Sequence, residues 1–214
     1  MSPEEFRDKT DVSRETLARL IIYAELLRRW QFKINMVGPA SLEDLWSRHL
    51  LDSAQLTGHI PSDTNIITDL GSGAGFPGLV VAIITGIKTH LIESNGRKSA
   101  FLREVIRQTN AAAEIHTARA EDIAPWPSDV ITARALAKLP KLLNFAAPFL
   151  KSGSGLEKST CLFLKGATWR EELTEAEESW HIKCQDVASV TDPAGRLIIL
   201  RNPTPKQSGD NTPR

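Results

Sequence analysis

Apolar positions recur at helical spacing near the start of the chain. They lie three or four residues apart, with charged side chains on the other faces, so they form one side of an amphipathic helix. The repeating positions are Leu17, Leu20, Ile21, Ala24 and Leu27. Ser13 precedes them and carries a hydroxyl that can accept a hydrogen bond from the first helical turn. The pattern predicts a helix that begins directly after Ser13.

A break and a second helical segment follow. Gly38 and Pro39 interrupt the first helix, and Ser41, followed by acidic residues in the next turn, predicts the start of another helix. This second pattern continues through His49 and toward Leu56. Because the helical spacing gives way to short strand-like runs only after this segment, we expect residues 1–62 to form a helical cap at the N-terminus.

Beyond residue 64 the apolar residues gather in short runs. The segments between the runs are long enough for crossover helices, so the alternation predicts an α/β fold with a doubly wound, mostly parallel sheet. The runs are 66–70, 89–94, 113–117, 129–133 and 161–165. Two later runs, 182–190 and 197–200, flank a turn that contains Asp192, Pro193 and Gly195, which predicts an antiparallel hairpin at the sheet edge.

The C-terminal end of this pattern sets the expected domain boundary. We expect residues 63–201 to form one doubly wound domain. Residues 202–214 contain no large apolar side chain that could anchor them in a core. They are therefore predicted to be a disordered tail.

The most informative motif is a glycine-rich loop after the first strand-like run. Residues 69–78 read DLGSGAGFPG, and an apolar helix follows them. Glycines allow a tight turn and close approach of a ligand, while the helix N-terminus offers free N–H groups to a carboxylate or phosphate. Glu93 ends the next run, where doubly wound folds place an acid against ribose hydroxyls. These observations predict a nucleotide-like cofactor near Asp69, Gly71, Gly73, Gly75 and Glu93.

Two classes of enzyme use such a loop. Gly73, Gly75 and Gly78 fit the spacing of nicotinamide dinucleotide sites, so an NAD(P)-dependent oxidoreductase is the competing interpretation. Dinucleotide-binding strands usually keep an apolar residue at the position of Asp69. Methyltransferases use an acid there to help hold the methionine end of S-adenosylmethionine. The motif favours a methyltransferase and leaves the oxidoreductase open.

Composition and charge narrow the partners and the compartment. The chain carries 26 basic and 26 acidic residues, so any RNA binding must come from a local patch. Cys161 and Cys184 lie far apart without a histidine or cysteine cluster, which predicts a reduced cytoplasmic protein with no structural metal. Both thiols are expected in the core. The apolar run 79–84 is too short to span a bilayer, so no membrane partner is expected.

Several further stretches carry a resemblance to a known family. They are WSRHLLDS at 46–53, DLGSGAGFPGL at 69–79, LIESNGRKSAFLREV at 91–105, RAED at 119–122, ARAL at 133–136 and FLKG at 163–166. Together they resemble the RsmG (GidB) family, bacterial methyltransferases that modify N7 of a guanine in 16S (small-subunit) ribosomal RNA. The resemblance implies S-adenosylmethionine as cofactor and a class I, Rossmann-like methyltransferase fold. It also implies 16S rRNA or a precursor of the small ribosomal subunit as partner.

The resemblance assigns individual residues as well. It places cofactor contacts at Gly71, Phe76, the pair Ala120 and Glu121, and Arg134. Many relatives have leucine at the position of Phe76 and aspartate at the position of Glu93, which keeps the charge and differs in reach. We also expect a monomer. A ribosome-assembly factor with a vestigial pocket and no catalysis is the alternative that retains the fold.

Guanine N7 places few chemical demands on the protein. It carries an exposed lone pair near neutral pH, so the transfer requires no general base and depends largely on orientation. No catalytic residue is therefore assigned, and Arg134, His49 and Lys165 are candidates for positioning. The chain lacks the Asn/Asp-Pro-Pro-aromatic tetrapeptide that commonly handles exocyclic amines.

Basic side chains near the predicted strand ends form a candidate phosphate-binding face. They are Arg48, Arg97, Lys98, Arg103, Arg107, Arg134, Lys138, Lys141 and Lys165. The competing interpretation is ordinary solvated charge, with Arg48 paired to Asp52 one turn later. Trp46, Trp126 and Trp169 are candidates for stacking on a base, although core packing is the favoured interpretation.

Overall fold

A computed structural model describes residues 1–151 and 158–206 of the chain. Ser13 caps the predicted amphipathic helix, because its hydroxyl accepts a hydrogen bond from the Thr16 amide at 3.0 Å. The N-terminal region is helical, as predicted. Its elements are α1 (Pro3–Thr10), α2 (Arg14–Gln31), α3 (Pro39–Glu43), a π-helical segment (Trp46–Leu51), α4 (Asp52–Ala54) and a 3₁₀ segment (Gln55–His59).

Two details of this region differ from the sequence prediction. Helix α1 was not anticipated; Ser2 and Glu5 form a capping box at its start. The second predicted helix begins at Pro39 rather than Ser41, and it is divided into short pieces because the backbone at Asp44 leaves the helical region (φ −108°, ψ 40°). The chain then continues as a π-helical turn, a feature that often accompanies functional sites.

The predicted doubly wound sheet is confirmed. Seven strands lie in the order β3-β2-β1-β4-β5-β8-β7; the first five are parallel, and β8 runs antiparallel to β5 and β7. The strands are β1 (Ile66–Leu70), β2 (Lys88–Ile92), β3 (Ala113–His116), β4 (Val130–Arg134), β5 (Thr160–Lys165), β7 (Cys184–Ala188) and β8 (Arg196–Arg201). The hairpin of β7 and β8 is the one predicted at the edge.

An α-helix follows four of the five parallel strands, β1, β2, β4 and β5. These helices are α5 (Gly78–Thr85), α6 (Gly96–Thr109), α7 (Leu139–Ala146) and α8 (Trp169–Glu177). Short 3₁₀ segments lie at Ala120–Asp122 and Ala147–Phe149. Among the described helices, none combines the length and the apolar character that crossing a membrane requires.

A second, two-stranded sheet extends into the segment predicted to be disordered. Strand β9 (Thr204–Pro205) pairs with β6 (Trp180–His181), and the Lys206 amide donates to the Ser179 carbonyl at 2.9 Å. Pro203 is buried, so backbone pairing and one proline anchor a segment that lacks large apolar side chains. The rest of the predicted tail, 207–214, lies outside the described residues.

The hydrophobic core joins the helical cap to the glycine loop. One cluster of buried side chains includes residues of α1 and α2 together with Phe76 of the loop, Leu79 of α5 and Phe101 of α6. A second cluster packs α7 and α8 against β4, β5 and β8. The cap therefore forms a supporting wall behind the loop, which matters for the geometry of the site.

Candidate active site

The glycine loop turns at the carboxyl end of β1. Gly71, Gly73 and Gly75 have positive φ angles of 66°, 57° and 100°, a region that L side chains rarely adopt. Glu93, just beyond β2, holds the loop: its carboxylate accepts from the Gly73 amide at 2.8 Å and from the Asn95 amide at 2.7 Å. The loop and the acid after β2 are thus brought together, as the sequence motif predicted.

These residues border a cavity of about 390 Å³, which we call cavity A. Five of the predicted cofactor residues line it: Gly71, Gly73, Glu93, Ala120 and Glu121. Lys98, Leu136, Lys141 and Phe145 also line it, although among them only the lysines had been considered, as phosphate contacts. The volume lies in the range typical of small-molecule sites.

Asp69 is placed beneath the loop rather than in cavity A. Its side chain is fully buried, accepts a hydrogen bond from the Thr132 hydroxyl at 2.6 Å, and lies where a Cβ on Gly78 would overlap it. Burial raises the pKa of this carboxyl to about 6, against the opposing effect of the Thr132 hydrogen bond. In this structure Asp69 packs beneath the loop and does not line cavity A, so its position does not support the expected direct contact with a cofactor.

Gly75 and Phe76 face the helical cap. A Cβ on Gly75 would lie 2.6 Å from the Tyr23 hydroxyl oxygen, and that hydroxyl donates to the Ala74 carbonyl. The Phe76 ring stacks between Tyr23 and His49, with ring centroids 5.4 and 4.8 Å away. These two predicted cofactor residues lie outside cavity A because the core of the cap extends under the loop.

Arg134, at the end of β4, joins the sheet to the cap. Its guanidinium donates to the Asp52 carboxylate and to the Arg48 carbonyl, both at 3.1 Å, and to His49 Nδ1 at 2.7 Å. It also lies over the Phe76 ring, 5.0 Å from the centroid. The sequence also allowed an Arg48–Asp52 pair, but in the structure Asp52 pairs with Arg134. The π-helical turn from Trp46 to Leu51 changes the direction in which its side chains point.

His49 is the buried member of this cluster. Burial, followed by the charges of Arg134 and Arg48, lowers its pKa to about 4. The imidazole is therefore neutral near pH 7. Because Arg134 can only donate, Nδ1 is the acceptor and Nε2 donates to the Ser41 hydroxyl at 2.9 Å.

A second cavity of about 420 Å³, cavity B, opens beside this cluster. It is lined by Arg48, His49, Asp52, Arg134 and Lys165, and by Ser189, Thr191 and Arg196 of the hairpin. Ala135 borders both cavities and has a positive φ of 54°, a strained conformation for a residue with a Cβ. No local sequence signal marks the hairpin residues, because only the pairing of β8 with β5 and with β7 brings them to this edge.

Lys165 is not available to an RNA phosphate in this arrangement. Its ammonium donates to the Ala137 carbonyl at 2.9 Å and contacts the Glu172 carboxylate at 2.5 Å, and 9% of the side chain is exposed. Glu172 in turn accepts from the Leu139 amide at 2.8 Å. A buried lysine requires a charge partner, which here is Glu172. Through its bond to the Ala137 carbonyl, Lys165 also stabilises the loop after β4.

The other basic candidates differ in whether their side chains have hydrogen-bond partners or are exposed to solvent. Arg107 makes a bidentate pair with Glu104 at 2.9 and 2.7 Å, which lowers the pKa of that carboxyl to about 2. Arg103 donates to the Thr117 hydroxyl at 2.7 Å. Arg48, Arg97, Lys138 and Lys141 are exposed, and Lys98 is half-buried.

The aromatic and thiol candidates pack mainly in the interior. Trp46 contacts Phe6, and Trp169 is 8% exposed, so both belong to the core. Trp126 is partly buried between Phe149 and two histidines. Cys161 is buried as expected; Cys184 is exposed, which corrects the prediction, because β7 is an edge strand with little cover.

The mixed sheet, in which β8 is antiparallel to its neighbours, has the fold of the class I S-adenosylmethionine-dependent methyltransferases. A methyltransferase from Aquifex aeolicus superposes with a TM-score of 0.58 at 13% identity, covering 78% of this chain and 99% of that one. TYW2 of M. jannaschii, crystallised with AdoMet, superposes with a TM-score of 0.56 at 15% identity, covering 76% and 78%. At these identities the superpositions support the fold alone.

Sequence similarity identifies the family. The model of the GidB family, rRNA small subunit methyltransferase G, matches residues 16–197. Ribosomal RNA small subunit methyltransferase G of Paramagnetospirillum magneticum is 50% identical over 201 residues, which cover 94% of this chain and 96% of the relative. The corresponding protein of Rhodospirillum centenum is 50% identical over 202 residues, covering 94% and 91%. The chain belongs to the rRNA small subunit methyltransferase G family, and the oxidoreductase interpretation finds no support.

Proposed function

We propose that this protein transfers the methyl group of S-adenosylmethionine to N7 of a guanine in 16S ribosomal RNA. The observation that carries the proposal is the adjacency of cavities A and B, which share Ala135 at the carboxyl end of β4. One cavity is bordered by the glycine loop and the other by the Arg134 cluster. A donor in cavity A and a base in cavity B would meet at this shared edge.

The residues of cavity A fit the cofactor. Glu93 already accepts two backbone hydrogen bonds, and its remaining lone pairs can accept from ribose hydroxyls. Leu136 and Phe145 offer an apolar surface for a purine ring, and Gly71 and Gly73 keep the loop free of side chains that would fill the cavity. The bound cofactor supplies an electrophilic methyl group on a sulfonium centre.

Cavity B positions the acceptor and performs no proton transfer. With the cofactor held in cavity A, the N7 lone pair would form the bond to the methyl carbon as the carbon–sulfur bond breaks and its electron pair returns to sulfur. No proton moves, which agrees with a neutral His49 whose pKa is about 4. Arg134 and His49 hold one another and the π-helical turn, so their role is to fix the wall against which the base is oriented.

Transfer of labelled methyl groups tests this function. Tritiated S-adenosylmethionine is incubated with the protein and either naked 16S RNA or small ribosomal subunits, and the RNA is digested to nucleosides. We expect the label in 7-methylguanosine. Cofactor binding without transfer to either substrate would favour the alternative of an assembly factor, and saturable NADH binding without a response to S-adenosylmethionine would contradict the proposal altogether.

The proposal includes the setting of the reaction. The protein acts as a monomer in the bacterial cytoplasm on the small ribosomal subunit or its RNA, and it requires no membrane. A sulfonium leaving group needs no Lewis acid, so no metal takes part in the transfer itself. Light scattering of the purified protein, with and without cofactor, tests the monomer; a stable dimer would contradict it.

A further inference from the structure

Two histidines and a glutamate that line neither cavity A nor cavity B meet on the outer part of the sheet. Strands β2 and β3 are parallel neighbours in which His90 is opposite Glu114 and Ile92 is opposite His116. Because side chains alternate along a strand, His90, Glu114 and His116 point to the same side. No short motif marks this cluster, because 26 positions separate the two histidines, whose ring nitrogens are 2.9 Å apart.

The donor atoms of this cluster have the spacing of a metal site. His90 Nδ1 lies 2.9 Å from His116 Nε2 and 3.8 Å from Glu114 Oε2, and His116 Nε2 lies 3.9 Å from Glu114 Oε1. Zinc binds imidazole nitrogen and carboxylate oxygen at about 2.0–2.2 Å, so two donors on a tetrahedral ion lie about 3.3–3.4 Å apart. The two imidazole nitrogens are about half an ångström closer than that value, and each lies about half an ångström beyond it from a different Glu114 oxygen. With one donor atom from each residue, all three lie within 4.8 Å of one another, so the Glu114 side chain must rotate to present one oxygen to both imidazoles.

The surroundings hold the two imidazoles in place. The Trp126 ring packs against both, with centroids 4.6 Å from each, and its indole N–H donates to the Thr68 hydroxyl at 2.9 Å. A donor set fixed by packing loses less entropy when it binds an ion. Glu114 is 57% exposed, so an ion can enter from solvent and keep water in the fourth position.

The charges also suit a divalent cation. The Glu114 carboxylate supplies one negative charge beside two imidazoles, a donor set that zinc also uses in catalytic sites. The cation that now approaches Glu114 is Lys88, at 3.9 Å and largely exposed. Such a solvated pair is weak, and an ion held by three donors can displace it.

We propose that His90, Glu114 and His116 form a binding site for a divalent transition-metal ion, with zinc as the best fit to two imidazoles and one carboxylate. The ion ties β3, the edge strand, to β2. Residues 118–121, which follow β3, line cavity A, so the site stabilises one wall of that cavity. The expectation of a protein without a structural metal rested on the surroundings of the two cysteines, and this site uses neither.

Zinc titration of the full-length chain tests the site. The chain is stripped with a chelator and carries Cys184→Ser, because an exposed thiol can bind zinc by itself. A chromophoric chelator that competes for zinc reports the affinity. We expect one zinc per chain, and we expect His116→Ala and Glu114→Gln to weaken binding by more than about tenfold, because even the loss of an outer-shell partner costs about 10- to 100-fold.

The controls separate a built site from general affinity for histidine. His59→Ala removes a histidine outside the cluster and should bind zinc like the parent protein. Glu114 is exposed, so Glu114→Gln keeps the test valid if His116→Ala does not fold. Zinc should also raise the melting temperature of the parent chain and not that of Glu114→Gln. Equal zinc affinity in the parent, Glu114→Gln and His116→Ala, or no saturable binding by the parent, would overturn the proposal.

Discussion

The three positive-φ glycines of the loop serve different purposes, which only their neighbours reveal. A Cβ on Gly71 would lie 2.6 Å from Leu136, and one on Gly75 would meet Tyr23, so both positions require close packing. A Cβ on Gly73 would find no heavy atom closer than 3.8 Å. Gly73 therefore borders open space in cavity A, where a side chain would compete with a ligand rather than with the protein.

Replacement of Gly73 by valine should abolish cofactor binding while the fold survives. The left-handed backbone costs a branched residue about 1–2 kcal/mol, which a domain of ordinary stability tolerates. Calorimetric titration with S-adenosylmethionine measures the effect. Gly86→Val is the matched control, because Gly86 has a φ of 72° and open space around it but does not line cavity A. Wild-type affinity in Gly73→Val would show that the cofactor lies elsewhere.

The raised pKa of Asp69 predicts that the stability of the protein depends on pH. The pKa of this carboxyl is raised from 3.8 to about 6 in the folded protein, so between these values the unfolded chain has released a proton that the folded chain retains. Stability is therefore lost as the pH rises from about 4 to about 6, by roughly 3 kcal/mol at 1.36 kcal/mol per pKa unit. Asp69→Asn lacks this titration, and its stability should decline less over the same interval.

Urea unfolding of both proteins at several pH values, without cofactor, measures this difference. His49 acts in the opposite direction, since its pKa is lowered to about 4, and it is present in both proteins and cancels in the comparison. Parallel curves for the wild type and Asp69→Asn between pH 4 and 7 would show that the folded Asp69 titrates normally.

At the scale of elements, one ion pair connects three parts of the structure. Asp52 of α4 pairs with Arg134 of β4, and it accepts from the Thr191 hydroxyl of the β7–β8 turn at 2.9 Å. The side chains of Asp52 and Arg134 are 13% and 18% exposed. Both side chains are partly buried, and their contacts hold cap, sheet and hairpin in one arrangement around cavity B.

Arg134→Ala should lower turnover more than cofactor affinity. The guanidinium lines cavity B and not cavity A, so its loss disturbs the wall for the acceptor base. We expect turnover to fall by about 100-fold, an effect reported for misplacements of about 1 Å, and the cofactor dissociation constant to change by less than about threefold. Arg170→Ala removes the same charge from a residue outside both cavities and is the control. A large loss of cofactor affinity with normal turnover would place Arg134 at the donor instead.

At the scale of the whole molecule, the positive and negative charges balance, so RNA binding depends on local groups of basic side chains. The net charge is zero with 26 residues of each sign, so phosphate binding depends on which cations are free of partners. Arg107 is engaged by Glu104 through two hydrogen bonds, whereas Arg48 and Lys138 are exposed near the edges of the cavities. We therefore expect Arg48 and Lys138 to contribute more to phosphate binding than Arg103 and Arg107, whose side chains already have partners.

The salt dependence of RNA binding distinguishes these two surfaces. Arg48→Ala combined with Lys138→Ala should reduce the slope of log K against log salt by about 1.4–1.8, since each lost contact removes about 0.7–0.9. Arg103→Ala combined with Arg107→Ala removes the same charge and should change the slope by less than about half as much. A larger effect of the second pair would return the RNA surface to α6.

Local patterns predicted those parts of the molecule that depend on local chemistry. The strand runs, the Ser13 cap, the loop around Gly71 and the edge hairpin all follow from short-range spacing, and the structure has them. The contacts that join elements were not predictable in this way. Phe76 turns toward the cap, Asp52 selects Arg134, and Lys165 is sequestered by Glu172, because each outcome depends on which distant segment packs nearby.

The packing of Tyr23 against the glycine loop limits how this enzyme can be recombined with others. Tyr23 lies on α2, yet its hydroxyl donates to the Ala74 carbonyl and occupies the space beside Gly75. A chimera that grafts this sheet onto a foreign cap would leave that carbonyl without its donor and the loop without its backing. Transplanting the site therefore means transplanting α2 with it, and a cap exchanged for new RNA specificity would have to preserve a tyrosine at this position.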